Sequence, residues 1–548
     1  MGRTLGDGAR RRLRLVATGA ILLLGVALRT MEYLGRPSFW FDELAVVLNI
    51  QERGLADLVS RPLARFQMAP AAFLASVKVG SELLGMDEIG LRIVPWLSAL
   101  AGVFLFWRVA VRMLAGAPLL LALSLFSVSP SLIWYSCNVK PYSGDVAATL
   151  LLVLLSLRFQ ERPQDRRSAV GAGAIGGAAL FFSYPAVVAA GVLGLILAWR
   201  WLRDRPRGSP APLLWLGTLW AIAALAAGLV SVPLTAGDAA AYMRRFWAQD
   251  FMPAPWEGLA GLLWIPDRLF AALGFHLLFI AREWAFGPFV AGACAALACL
   301  GVFASFRTSP WVAALIAAPT LSALLAAAVR LLPLGLRVSL HAGWPLALFA
   351  MAGLQALRRA LPDRARWAPV ALGALVASVP AALVLVAYRP PFHHQESRPV
   401  LEELARRWRP GDTLFVYYGG RYAAEFYGRR LGLSGWDRSG CHRGEPRQYF
   451  REIDHLRGRA RVWLFYTHAA EGYREPAVIR SYLETIGTER DRIPDPFGSL
   501  GQSEAAAYLY DLSDPGRLAA ATWTTHRFPE PTTGGPRILC DGTWIPGQ

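Results

Sequence analysis

The segment LVATGAILLLGVALRTMEYLGRPSFWFDE, residues 15–43, decides the fold. Residues 15–30 are apolar enough for one bilayer crossing, and five arginines precede them within the first fourteen residues. A cationic flank before an apolar run marks a first span whose N-terminus stays inside. A cleaved signal peptide would leave a small-residue cleavage pattern after the run. None follows, and residues 31–41 lead into a polar, aromatic loop, so the span is expected to be retained.

Similar runs recur outward from this segment to about residue 388, in a chain of 548 residues that is 55% hydrophobic with a mean hydropathy of +0.36. A soluble core does not explain that, and hydrocarbon admits only helices or closed barrels. Placing the arginine-rich loops inside gives crossings near 15–30, 91–110, 118–135, 142–158, 168–184, 185–201, 211–231, 286–305, 310–329, 337–356 and 366–388. Stretches 70–84 and 258–281 are short, interrupted or carry Lys78, Asp267 and Arg268, and read as interfacial or re-entrant helices. The expected fold is thus a polytopic α-helical membrane domain over 1–388, with about eleven transmembrane helices plus interfacial ones. A small extracytoplasmic soluble α/β domain over 389–548 follows it.

The formal charge of +17 is unevenly placed: 34 Lys+Arg against 19 Asp+Glu up to residue 388, and 22 against 20 after it. The excess sits in short loops such as 10–14, 158–167 and 200–207, so it is a topology signal and no nucleic-acid partner is expected. Beyond residue 390 the texture is globular. Helical patterns at 398–408 and 476–486 alternate with strand-like runs at 413–418, 461–466 and 505–510. Cys441 and Cys540 are the two cysteines there. One disulfide and two separate thiols are both open readings.

Two clusters could carry chemistry. Phe39-Trp40-Phe41-Asp42-Glu43 puts adjacent carboxylates among belt aromatics. Asp42 reads either as the N-cap of a helix over 43–51 or as a catalytic base tuned by burial and by Glu43. Asn138-Val139-Lys140-Pro141-Tyr142-Ser143-Gly144-Asp145 is a short outer hairpin holding Lys140, one of two lysines against 54 arginines. Lys140 is either a snorkelling interfacial side chain or a compact counterion for a phosphate leaving group. Arg337, followed by His341 and Pro345, is a further candidate for that phosphate, with a snorkelling role as the other reading. Ser183-Tyr184-Pro185 reads as a turn, and His393 and His394 as solvated linker. No metal-ligand spacing is present. A divalent cation on Asp42 and Glu43 is conceivable, but the sequence does not require one.

The aromatic-Asp-Glu loop, Gly85-Met86-Asp87-Glu88-Ile89-Gly90-Leu91-Arg92 entering the second span, and the Lys-x-Tyr-Ser-x-Asp hairpin together resemble the GT-C membrane glycosyltransferases. The group is the family 39-like one of dolichyl-phosphate-mannose protein mannosyltransferases and bacterial aminoarabinose transferases. The likeness covers roughly residues 15–360. It implies an enzyme moving a sugar from a polyprenyl-phosphate donor to an extracytoplasmic acceptor, with Asp42 as base, Glu43 as its partner, and Lys140 with Tyr142 at the donor phosphate. The acceptor class, glycan, lipid or protein, stays open. The Arg- and Ala-heavy composition fits a bacterial inner (plasma) membrane, with membrane lipids as the surroundings, the N-terminus cytoplasmic and the C-terminal domain outside. A transporter or lipid-carrier flippase is the competing class. It would show internal repeats and broken helices at mid-bilayer, and no convincing repeat is found.

Overall fold

The computed structural model describes residues 7–204, 208–253, 258–278, 287–335, 337–387, 389–433, 435–469, 475–497, 505–528 and 537–545. Each of the eleven expected crossings coincides with a helix. Nine helices among the described residues are long and apolar enough to cross a membrane, from Arg11–Gly35 to Asp363–Val386. The other two expected crossings, 118–135 and 168–184, fall on shorter helices, Ala117–Val128 and Arg166–Leu180, which are below the length of a full span. The chain is a multi-pass membrane protein.

One expected span is broken. Residues 118–135 form two pieces, Ala117–Val128 and Pro130–Trp134. Pro130 has no N–H to continue the ladder and disfavours helical geometry at Ser129, whose hydroxyl instead caps the second piece through the N–H of Leu132. Stretch 70–84 is the helix Ala71–Leu84. Stretch 258–281 is Leu259–Leu273 with a wider turn over Gly274–Leu278, and its last residues lie outside the described ones.

Glycine sets the tightest helix contact. A Cβ on Gly301 would stand 1.7 Å from the carbonyl oxygen of Phe349, and one on Gly353 would stand 1.9 Å from that of Leu297. The helices Gly287–Thr308 and Leu340–Ala360 therefore meet backbone to backbone, the small-residue packing that replaces hydrophobic drive inside lipid.

The C-terminal region holds a five-stranded sheet: β1 Thr413–Val416, β2 Asp437–Arg438, β3 Val462–Tyr466, β4 Thr488–Ile493 and β5 Ala506–Asp511, in the order β2-β1-β3-β5-β4. β1 runs parallel to β2 and β3, whereas β5 is antiparallel to β3 and β4. Both faces of the central strands are covered, which is why they read as unbroken apolar runs. Phe415, Leu464 and Tyr508 face a core with helices Pro446–Asp454 and Glu475–Ile486. Val416, Phe465 and Leu509 face a different core, shared with Leu44, Val47, Leu58 and Leu74 of the loop helices after the first span. The apolar interior thus crosses residue 388 without a gap. Cys441 and Cys540 form a disulfide with Cα atoms 5.9 Å apart, which resolves the open reading in favour of pairing.

Candidate active site

The helix Phe41–Glu52 begins one residue before Asp42 and is capped by its own third residue: the Glu43 carboxylate accepts the Trp40 N–H at 3.1 Å. The N-cap reading of Asp42 is corrected accordingly. Its carboxylate points away from the helix end and pairs with Arg337 at 2.6 Å, the Asp42 side chain being 27% exposed.

Arg337 opens the helical stretch leading into Leu340–Ala360. Its guanidinium lies 5.7 Å from the Trp40 ring and 5.3 Å from the Trp247 ring, a cation–π bracket that holds the charge in place. Lys140 is buried in the 138–141 hairpin, and its ammonium donates to the Gln67 amide oxygen. Tyr142 starts the helix Tyr142–Glu161 immediately behind it, edge-on to Tyr135 at 5.3 Å. Burial alone would raise the Asp42 carboxyl, but Arg337, Lys140 and His468 together hold it below the ordinary carboxylate range. The opposite balance acts on Lys140, where burial prevails over the attraction of Asp42 and brings the ammonium down to about 8.

Glu43 is differently engaged. Its carboxylate takes the Nε and Nη2 of Arg92 at 3.2 and 3.1 Å and the N–H of Val139 at 2.9 Å, in addition to Trp40. Arg92 also donates to the carbonyls of Pro37 and Ser38, and lies 4.5 Å from the Phe39 ring. Glu43 therefore ties the first loop, the second span and the lysine hairpin together. The two neighbouring acids turn to different arginines, so they are not arranged as a shared cation site, and no cluster of three His, Cys, Asp or Glu occurs among the described residues.

The C-terminal region completes the surroundings. His468, directly beyond the end of β3, accepts the Trp40 indole N–H on Nδ1 at 2.7 Å and stacks flat on Phe41 at 4.7 Å. Burial lowers its pKa to about 4, against a smaller opposing pull from Asp42, so near neutrality the ring is uncharged and carries its proton on Nε2. His394 packs edge-on against Trp40 at 5.0 Å and Trp134 at 5.3 Å, while His393 bonds Glu396 at 3.1 Å and stacks on Phe497. The expectation that both are solvated linker is corrected: each is only part-exposed and engaged, His394 against Trp40 and Trp134 and His393 against Glu396 and Phe497. Glu88 of the Gly85–Arg92 motif receives Tyr427 at 2.8 Å and Arg398 at 3.0 Å, a second tie between the first span's loop and the helical segments of the C-terminal region.

Sequence reasoning missed Gln67, Trp247 and His468. The one sequence signal that could have found His468 is its place just past the apolar run 461–466. His468→Phe should keep the stack on Phe41 but leave the Trp40 N–H unpaired. We expect a loss of about 1–3 kcal/mol, read as a lower melting midpoint in detergent.

The long apolar helices, the loop helices at one end of them and the appended mixed sheet make this a membrane protein of the GT-C fold. The crystal structure of ArnT from Cupriavidus metallidurans bound to undecaprenyl phosphate is similar over 90% of this chain and 98% of that one, with a TM-score of 0.51 and 13% sequence identity. An oligosaccharyltransferase from Archaeoglobus fulgidus in the apo form aligns over 91% of this chain and 74% of that one, with a TM-score of 0.48 and 12% identity. No family model and no curated protein matches the sequence.

Proposed function

We propose that this protein is a glycosyltransferase that moves a sugar from a polyprenyl-phosphate donor to an acceptor hydroxyl on the extracytoplasmic face of the membrane. The observation that carries this reading is the pairing of Asp42 with Arg337 beside Lys140, a base and phosphate-binding cations brought together at the ends of the spans. Transfer needs a group to accept the hydroxyl proton as oxygen attacks the anomeric carbon. It also needs positive charge where the sugar–phosphate bond breaks and the lipid phosphate departs with the electron pair. Asp42 supplies the first, and Arg337 and Lys140, with Tyr142 behind them, supply the second.

The ion pair gives the two roles an order. While Arg337 holds Asp42, the carboxylate is a poor base. A donor phosphate competing for Arg337 would release Asp42 and raise its basicity only once the leaving group is in place. Glu43 acts as a positioning residue, holding Trp40, Arg92 and the lysine hairpin. A transporter needs its charged groups at broken helices near mid-bilayer, and the groups assembled here lie at helix ends.

The Cys441–Cys540 disulfide supports placing the C-terminal domain in an oxidising, extracytoplasmic compartment, with the N-terminus cytoplasmic and the protein in the inner membrane. The ArnT structure with undecaprenyl phosphate supports a polyprenyl carrier. Purified protein offered a panel of radiolabelled polyprenyl-phosphate sugars should transfer label to an acceptor or release it to water. Failure with every donor would refute the reading.

The pH dependence has a defined sign. The Lys140 ammonium, already down to about 8, loses its charge as pH rises through that value. Donor KM should rise above about pH 8 in the wild type. In Lys140→Arg, whose charge persists, the rise should disappear, and donor titrations between pH 6.5 and 9.5 check this.

A further inference from the structure

At the arginine-rich end of the bundle, a cavity of about 300 Å³ opens between the helices Tyr142–Glu161, Tyr184–Asp204 and Pro310–Ala328. The first of these alone runs about 30 Å from Tyr142 at the candidate site to this end, so the cavity is no part of the transfer machinery. Nothing in the proposed reaction uses it.

Its chemistry is that of an anion site set in an apolar wall. Arg112 and Arg200 line it, Arg112 pairing with Glu161 and Arg200 standing 3.4 Å from Asp204. The positive charge exceeds those partners: Arg203, like Arg200, lies 5.9 Å from the Trp311 ring, and Arg108 and Arg158 crowd Arg112, which adds three arginines to the two paired ones. Burial and those two like charges push the Arg112 guanidinium down, a strain that a bound anion relieves. Two sets of donors are in place. The Gln160 Nε2 is buried and has no hydrogen-bond partner. Helix Pro310–Ala328 starts at the cavity without a side-chain cap, so its first-turn N–H groups at Trp311 and Val312 face an anion's natural position. The remaining wall is Leu157, Val312 and the Trp311 ring, and Trp199 and Leu202 beside Arg200 are exposed apolar side chains that call for acyl chains.

We infer that this cavity binds the phosphate headgroup of an anionic phospholipid, Arg112 and Arg200 providing the charge, and Gln160 and the helix start the hydrogen bonds. A free phosphate would meet the same donors but leave the apolar wall unused. At the ends of membrane spans, a headgroup is the phosphate that arrives with chains attached. The inference rests on the fold alone and stands or falls apart from the transferase reading.

The test uses the full chain, delipidated in detergent and titrated with phosphatidylglycerol, phosphatidylcholine or inorganic phosphate, with bound lipid read by native mass spectrometry and the melting midpoint followed in parallel. Phosphatidylglycerol should bind and raise the midpoint, with the other two at least about tenfold weaker. Arg200→Gln should weaken phosphatidylglycerol by about tenfold, and so should Gln160→Glu, which breaks no ion pair and so guards against a folding defect. Equal binding of both phospholipids, inorganic phosphate binding as tightly as the lipid, or variants that bind like wild type would each overturn the inference.

Discussion

Asp42→Asn should lower sugar transfer by about 10²–10⁴-fold while donor affinity holds or improves. The amide keeps the volume and an acceptor oxygen for Arg337, so the site is not emptied. It cannot take a proton, and it no longer holds Arg337 by charge, which leaves that guanidinium freer to meet a phosphate. The pattern of a lost turnover with retained binding separates a base from a residue that only shapes the pocket. Single-turnover transfer and donor titration on the same preparation give both quantities. Full turnover in this variant would remove Asp42 from the chemistry.

Glu43→Ala, one residue on, should fail in a different way. Its carboxylate and Arg92 form an ion pair with both side chains almost fully buried, at 4% and 2% exposure. Truncating one partner strands the other charge among Phe39, Pro37 and Ser38, at a cost of about 3–5 kcal/mol. We expect a large drop in melting midpoint and poor recovery of folded protein. A double change, Glu43→Gln with Arg92→Met, removes both charges together and should restore much of the stability lost by either alone. If the folded fraction of the double variant still turns over, Glu43 is scaffold. A loss of turnover with normal stability would place it in the chemistry after all.

Hydropathy and arginine placement made the membrane part legible because a bilayer imposes one rule on every span. The exception at Ser129-Pro130 is local backbone chemistry that a hydropathy average smooths away. Within the sheet, β1, β3 and β5 were visible as apolar runs, whereas β4, reading TERDRI, was not. It is an edge strand paired on one side only, and its charges serve solvent. At the site, Asp42 and Lys140 stood out by residue type and Arg337 by its misplaced charge, but their meeting depends on packing between segments far apart in the chain. His468 and Gln67 show the limit most clearly. Gln67 has no distinctive neighbourhood in sequence and His468 only the apolar run that precedes it, and each matters because tertiary folding sets it against Lys140 or Trp40.

The apolar core that runs from Leu44 and Leu74 into Val416 and Phe465 bears on how such a protein can be recombined. A chimera that exchanges everything after residue 388 for a relative's sequence would graft a foreign surface onto the helix Phe41–Glu52 and set a foreign strand end against Trp40 and Phe41. The heritable module is the sheet together with the first loop. Swaps that carry residues 36–92 along with the C-terminal region should be the ones that yield working hybrids, and whatever acceptor preference they show should travel with that pair of segments.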